Sequence, residues 1–188
     1  DTQTSSHAAT SAYAALYESN QRAQDGPNAW EAFARFCDSL EDAERKMAAD
    51  PDSPRLADGS TPYPDYEWTL EPPTDVSPED LASWRVSTDF ARLVSQRLER
   101  DGHVALLDEV AAAPRALRPV QSGGSDGLID LGVMDFSAVR KVQRLLASRF
   151  ADALARDDQP AAASELTRLA GLVPLMDWQP LLIGQLMG

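Results

Sequence analysis

Residues 135–188 form the longest strongly periodic part of this chain, and they constrain its fold more than any other feature. Apolar residues recur there at spacings of three and four, the pattern of amphipathic helices. A first stripe comprises Val139, Val142, Leu146, Phe150 and Leu154. A facing stripe comprises Ala162, Leu166, Leu169, Ala170 and Val173. Asp158 is a good N-cap for the second helix and Pro174 a stop. The stretch predicts a helical hairpin, followed by a third helix opened by Asp177.

Earlier segments carry the same kind of signal. Helices are predicted at 8–24, from the N-cap Asn28 to Ala49, from the N-cap Ser77 to about Arg100, and at 103–113. Short connections favour antiparallel neighbours. No segment shows the alternation of a half-buried strand. The fold class is therefore predicted as all-α, with antiparallel helical hairpins in a bundle or a short repeat-like stack.

A proline-rich stretch separates these helices. Residues 50–77 contain Pro51, Pro54, Pro62, Pro64, Pro72 and Pro73, which forbid a regular helix. The same stretch contains Tyr63, Tyr66, Trp68 and Leu70. Because burying one large aromatic side chain contributes about 1.5–3 kcal/mol, we expect an ordered extended strap lying on the helices. The alternative is an aromatic-lined binding edge.

The domain organisation follows from these segments. Residues 1–188 are interpreted as one all-α domain: an N-terminal hairpin (1–49), the strap (50–77), a middle helical pair (78–118), a Gly-rich linker (119–134) and repeat-like C-terminal helices (135–188). The glycines at 122–127 lack the lysine of a phosphate-binding loop. The nearby Asp126, Asp130 and Asp135 lack the spacing of a calcium loop.

The charge is strongly acidic and unevenly distributed. The formal net charge is −13, which argues against nucleic acid as a partner, because phosphates are repelled. Residues 1–80 carry 17 acidic and 5 basic side chains. Arg140, Lys141, Arg144 and Arg149 form the one basic concentration, and we expect them either to pair with the acidic half of this chain or a neighbouring copy, or to form a solvated face. No apolar run is long enough to span a membrane.

The chain shows no catalytic constellation. His7 and His103 lie in no metal-binding spacing, and no serine lies in a nucleophile-elbow motif. Cys37, the only cysteine, falls on an apolar helical face, as expected of a core thiol. The sequence therefore predicts no catalytic residue, no cofactor and no metal site.

Residues 146–186 resemble a set of uncharacterised planctomycete-type helical proteins. The matching positions are Leu146, Arg149, Leu154, Asp157, Asp158, Ala162, Leu166, Leu169, Gln179, Pro180, Leu182, Ile183, Gln185 and Leu186. Residues 84–118 are also similar to that family, so the resemblance covers about half of the chain. It departs at Asp157, where glycine is usual, and at Gly184, where serine is usual. The resemblance implies no known activity; many relatives are exported or membrane-anchored, and the compartment of this chain stays open.

The C-terminal hairpin is also similar to a tetratricopeptide repeat. Ala162, Leu166 and Pro174 lie near the consensus spacing, while Arg149 and Phe150 depart from it. No 34-residue self-repeat is present, so the similarity is to a repeat-like hairpin only.

Two functions remain open at this stage. The first is a non-catalytic helical scaffold or protein–protein interaction module, with a protein partner or self-association. Its partner surface is predicted at Tyr63, Tyr66, Trp68, Trp178, Leu182, Leu186 and Met187. The last helix reaches residue 188 on an apolar pattern, which favours a fragment of a longer chain or a helix that packs on something else. The alternative is a binder, or a hydrolase, acting on a polar small molecule or divalent cation in an inter-helical groove.

Overall fold

The computed structural model describes residues 26–69, 72–114, 116 and 127–176, with side chains in the last range described for residues 137–175. These residues form helices and no β-strand, as predicted. The helices are α1 (Ala29–Ala49), α2 (Pro78–Arg100), α3 (Ala105–Ala112), α4 (Gly127–Ala155), α5 (Gln159–Gly171) and the short α6 (Val173–Met176). No helix in these ranges is long and apolar enough to cross a membrane. The predicted helices at 8–24 and from Asp177 lie outside the described residues.

Local signals set most helix boundaries. The side chains of Asn28, Ser77 and Asp158 accept hydrogen bonds from the first-turn amides of α1, α2 and α5. These bonds satisfy donors that a helix start leaves unpaired. The three predicted N-caps are therefore confirmed.

The helices pack around one apolar core. α1 lies against α2 and α3, α3 against α5, and α5 against α4. The most deeply buried large side chains come from α1, α2, α3 and α4 and from the α5–α6 junction: Phe33, Phe36, Phe90, Leu98, Leu107, Leu145, Leu146 and Leu172. The α3–α5 crossing is close, because a Cβ added at Gly171 would stand 2.5 Å from the Cα of Ala111. A side chain at position 171 would therefore push the two helices apart.

Two helix ends use the same hydrogen-bond pattern with different residues. At the end of α2 the amide of His103 bonds to the Leu98 carbonyl at 2.9 Å, and Gly102 has φ +77°. At the end of α4 the amide of Asp158 bonds to the Ala153 carbonyl at 2.9 Å, and Asp157 has φ +58°. Both are Schellman motifs, whose left-handed position favours glycine. Asp157, where the resembling family has glycine, therefore occupies a backbone conformation that glycine adopts without strain.

The structure corrects the predicted Gly-rich linker at 119–134. α4 begins at Gly127, so residues 127–134 are helical. An established helix extends at one hydrogen bond per residue, and a single interior glycine such as Gly132 costs only about 1 kcal/mol. Residues 128–134 are therefore helical because they continue directly into the helix that follows, although their apolar residues show no clear helical spacing.

Candidate functional site

The inner side of α5 carries a buried cluster of charges. Only 5% of the Glu165 side chain is exposed. Its Oε1 accepts from Arg149 Nε at 2.9 Å and from Arg168 Nη1 at 2.9 Å. The two arginines are themselves largely buried. One carboxylate of α5 therefore joins an arginine of α4 to an arginine of its own helix.

The same arginines reach the remaining helices. Arg149 Nη1 lies 3.0 Å from Ser95 Oγ and 3.2 Å from Glu99 Oε2, both on α2. Arg168 bonds to Asp108 of α3 in a bidentate arrangement, with distances of 2.7 and 3.0 Å. This hydrogen bonding, together with the nearby Glu165 carboxylate, outweighs the opposing effect of burial and raises the pKa of Arg168. The cluster connects four helices through paired charges.

This cluster has limited capacity to bind a ligand. Each arginine already pairs with two carboxylates, so neither presents an uncommitted guanidinium. Glu165 Oε2 is buried and has no hydrogen-bond partner among the described residues. Within the same residues, no group of three or more His, Cys, Asp or Glu side chains is placed to hold a metal ion. The cluster therefore serves to join the helices through buried, paired charges, and only Oε2 of Glu165 has no hydrogen-bond partner among the described residues.

The outer side of α5 carries no charged residue, unlike the exposed side of an ordinary surface helix. Glu165 and Arg168 are its only charged residues, and neither is exposed. The exposed residues from 159 to 174 are all uncharged: Gln159, Pro160, Ala163, Ser164, Leu166, Thr167, Ala170, Val173 and Pro174. We call these nine residues the outer face. Leu166 is 55% exposed and Val173 is similarly exposed. Surface helices usually turn charges to water and apolar residues to the core, whereas here both charges turn inward and Leu166 and Val173 turn outward.

The exchange corrects the predicted facing stripe of α5. Ala162 is buried and Leu169 partly buried, as expected, but Leu166, Ala170 and Val173 are exposed. The buried stripe contains Ala162, Glu165 and Leu172 instead, because the core accepts Glu165 once Arg149 and Arg168 neutralise it. α5 also ends at Gly171, and Pro174 lies inside α6 instead of ending α5. A sequence signal existed: Glu165 and Arg168, three residues apart, share the side of Ala162 and Leu172 and leave the opposite side uncharged.

Residues 66–68 of the strap bond to one side of α4, as expected of an ordered segment, whereas Leu70 lies outside the described residues. Trp68 Nε1 donates to Asp152 Oδ2 at 2.8 Å, and Glu67 Oε1 lies 2.7 Å from Arg144 Nε. The Tyr66 carbonyl accepts from the hydroxyl of Ser148. Since Arg144, Ser148 and Asp152 are four residues apart, they share one side of the helix. Three consecutive strap residues thus each bond to α4, over slightly more than two turns of that helix.

Tyr66 is also held by α1. Its hydroxyl donates to Glu44, and the Lys141 ammonium lies 2.6 Å from Glu44 Oε1 and 5.7 Å from the centroid of the Tyr66 ring. Burial, aided by the Glu44 carboxylate, raises the pKa of Tyr66 far above its ordinary value. Lys141 and Arg144 therefore pair with acids of the first half of this chain, one of the alternatives that the sequence left open.

The residues of the predicted partner surface occupy different environments. Tyr63 is 80% exposed, whereas Tyr66 and Trp68 are buried in the core. Trp178, Leu182, Leu186 and Met187 lie outside the described residues. The structure therefore leaves Tyr63 available on the strap. It adds the outer face of α5, part of which the apolar spacing predicts to lie in the core.

Comparisons of the chain with protein-family models, with curated proteins and with solved structures found no match. The resemblance to planctomycete-type proteins and to a tetratricopeptide hairpin remains an expectation.

Proposed function

We propose that this protein is a non-catalytic helical scaffold that binds a protein partner through the outer face of α5. The observation that carries the proposal is the exchange of charged and apolar residues between the two sides of α5. In a chain with 25% charged residues, an exposed set of nine residues without one charge is unusual. Interfaces are depleted of charge at their centre, and exposed apolar surface marks sites of association.

The proposed partner presents an apolar, uncharged helix. Ala163, Leu166, Ala170 and Val173 follow one another at spacings of three, four and three, which suits packing against another helix. The small side chains at 163 and 170 allow close approach, while Leu166 and Val173 supply apolar area. Tyr63 on the strap is a second exposed aromatic contact for a protein partner.

The proposal is tested with a photo-crosslinking amino acid at position 170 of the full chain, in its native cell. We expect a defined adduct whose partner binds the purified chain, with affinity reduced at least tenfold by Leu166→Lys, because a charge would be buried at the centre of the contact. The control carries the crosslinker at Leu154, an exposed leucine of α4. Identical adducts at both positions would contradict the proposal.

A second candidate function rests on Glu165 Oε2. A buried carboxylate oxygen with no hydrogen-bond partner among the described residues favours the binding of a cation or a polar donor beside α5. Calorimetric titration with Mg²⁺ or Ca²⁺ tests it. Binding that is abolished by Glu165→Gln supports it, whereas no heat at millimolar cation contradicts a cation site.

A further inference from the structure

The outer face of α5 is small for a stable interface. α5 has 13 residues, so it is about 20 Å long, and with a helix width of about 10 Å its outward side offers roughly 200 Å². Stable interfaces bury about 800 Å² per partner. A second copy of this chain meeting α5 alone would therefore bind weakly. A segment already tethered beside the face has an effective concentration of millimolar order and does not need a large contact.

Such a segment follows α6 directly. Residues 177–188 begin four positions after Val173, the last apolar residue of the outer face. The segment is anchored at its start by Leu175, which is buried. In helical form its 12 residues would span about 18 Å, close to the length of α5. Residues 177–188 therefore start beside the outer face and are long enough to lie along it.

The composition of the segment also suits that face. Asp177 is its only charged residue, and six of the other eleven are large and apolar: Trp178, Leu181, Leu182, Ile183, Leu186 and Met187. Neither residues 178–188 nor the outer face carries a charged side chain, so docking would not remove a charge from water and would avoid the penalty of burying one. By contrast, the N-terminal segment 8–24 carries Glu18 and Arg22.

We infer that residues 177–188 dock on the outer face of α5 in the same chain and occupy the surface that a partner helix would use. The inference rests on the proposed function in that both treat the outer face as a binding surface. A partner that also contacts further surface, such as Tyr63, would have to displace this segment. The tethered segment and a partner helix compete for Leu166 and Val173.

Hydrogen exchange of the full chain tests the inference. Amides of 177–188 are expected to be protected, and Leu166→Glu should abolish that protection while α1 remains protected. The matched control is Leu154→Glu, since Leu154 is 46% exposed on α4 and lies off the outer face. Unprotected amides in the unchanged chain, or protection that survives Leu166→Glu, would overturn the inference.

A variant in the segment itself tests the contact from the other side. Leu182→Glu should increase hydroxyl-radical labelling of Leu166 without affecting Leu154, and it replaces none of the residues of the described core. Unchanged labelling of Leu166 would overturn the inference even if Leu166→Glu had unfolded the chain. The two proposals fail separately: a partner captured at position 170 with an unprotected segment leaves the function standing, whereas a protected segment with no captured partner leaves only the docking.

Discussion

The strap and α5 differ in how well their apolar residues are buried, and the difference is the opposite of what their sequence patterns suggest. The described residues of the strap have no regular secondary structure, yet Tyr66 and Trp68 are buried and polar groups of residues 67 and 68 bond to α4. α5 is a regular helix with an N-cap, yet all of its exposed residues are uncharged. Regular apolar spacing therefore predicts that a segment forms a helix, but it does not predict how completely the apolar residues of that helix are buried.

The largest expected effect is on the strap. Trp68→Ala should reduce the free energy of unfolding by about 3–5 kcal/mol, because it removes a buried indole and leaves Asp152 without its donor. Urea denaturation measures this loss. Tyr63→Ala, at an exposed position of the same strap, should change the free energy of unfolding by less than about 0.5 kcal/mol. Equal effects would mean that the strap is not docked.

The next effect concerns the inner side of α5. Glu165→Ala should cost about 3 kcal/mol, because it leaves two largely buried arginines without their shared carboxylate. Glu99 is the matched control: it pairs with the same Arg149, but its side chain is 65% exposed. Glu99→Ala should therefore cost less than about 1 kcal/mol. If both variants had the same stability, burial of the cluster would not matter.

The alkaline stability of the protein should report the packing of Tyr66. Its pKa is raised in the folded state, so above the ordinary tyrosine pKa of about 10 the unfolded chain loses a proton that the folded chain keeps. Stability contributed by Tyr66 is therefore complete below about pH 10 and falls by up to about 1.4 kcal/mol per pH unit above it.

Tyr66→Phe should remove this part of the pH dependence, measured as urea midpoints between pH 9 and 11. Tyr63→Phe should retain it, since Tyr63 is exposed. A slope that is the same in wild type and Tyr66→Phe would show that the hydroxyl is not held away from water.

The smallest expected effect lies in the turn that leads into α5. Asp157→Gly should stabilise the protein by about 0.5–1 kcal/mol, because the left-handed conformation at φ +58° costs a non-glycine residue about 1–2 kcal/mol. Gly102→Ala, in the equivalent position after α2, should instead destabilise it. Thermal denaturation measures both, and a loss of stability in Asp157→Gly would contradict the Schellman geometry.

The features that the sequence revealed are local ones. The caps at Asn28, Ser77 and Asp158 depend on residues within one turn, and the strap could be predicted because buried aromatics offset the absence of regular structure. The orientation of α5 could not be predicted from apolar spacing, since it depends on Arg149, 16 positions from Glu165, and on Ser95, 54 positions from Arg149. Ion pairs between distant segments decide which side of a helix the core accepts. The spacing of Glu165 and Arg168 marks the charged side of α5, but it does not show that Arg149 lies within reach to pair with that side.

The central claim is that the outer face of α5 is covered in the working protein. Hydroxyl-radical footprinting of the unmodified full chain tests it directly by comparing two leucines. Leu166 and Leu154 are 55% and 46% exposed in the described structure, so an uncovered face predicts equal or greater labelling of Leu166. We expect Leu166 to be labelled several-fold more slowly than Leu154; equal rates would contradict the claim.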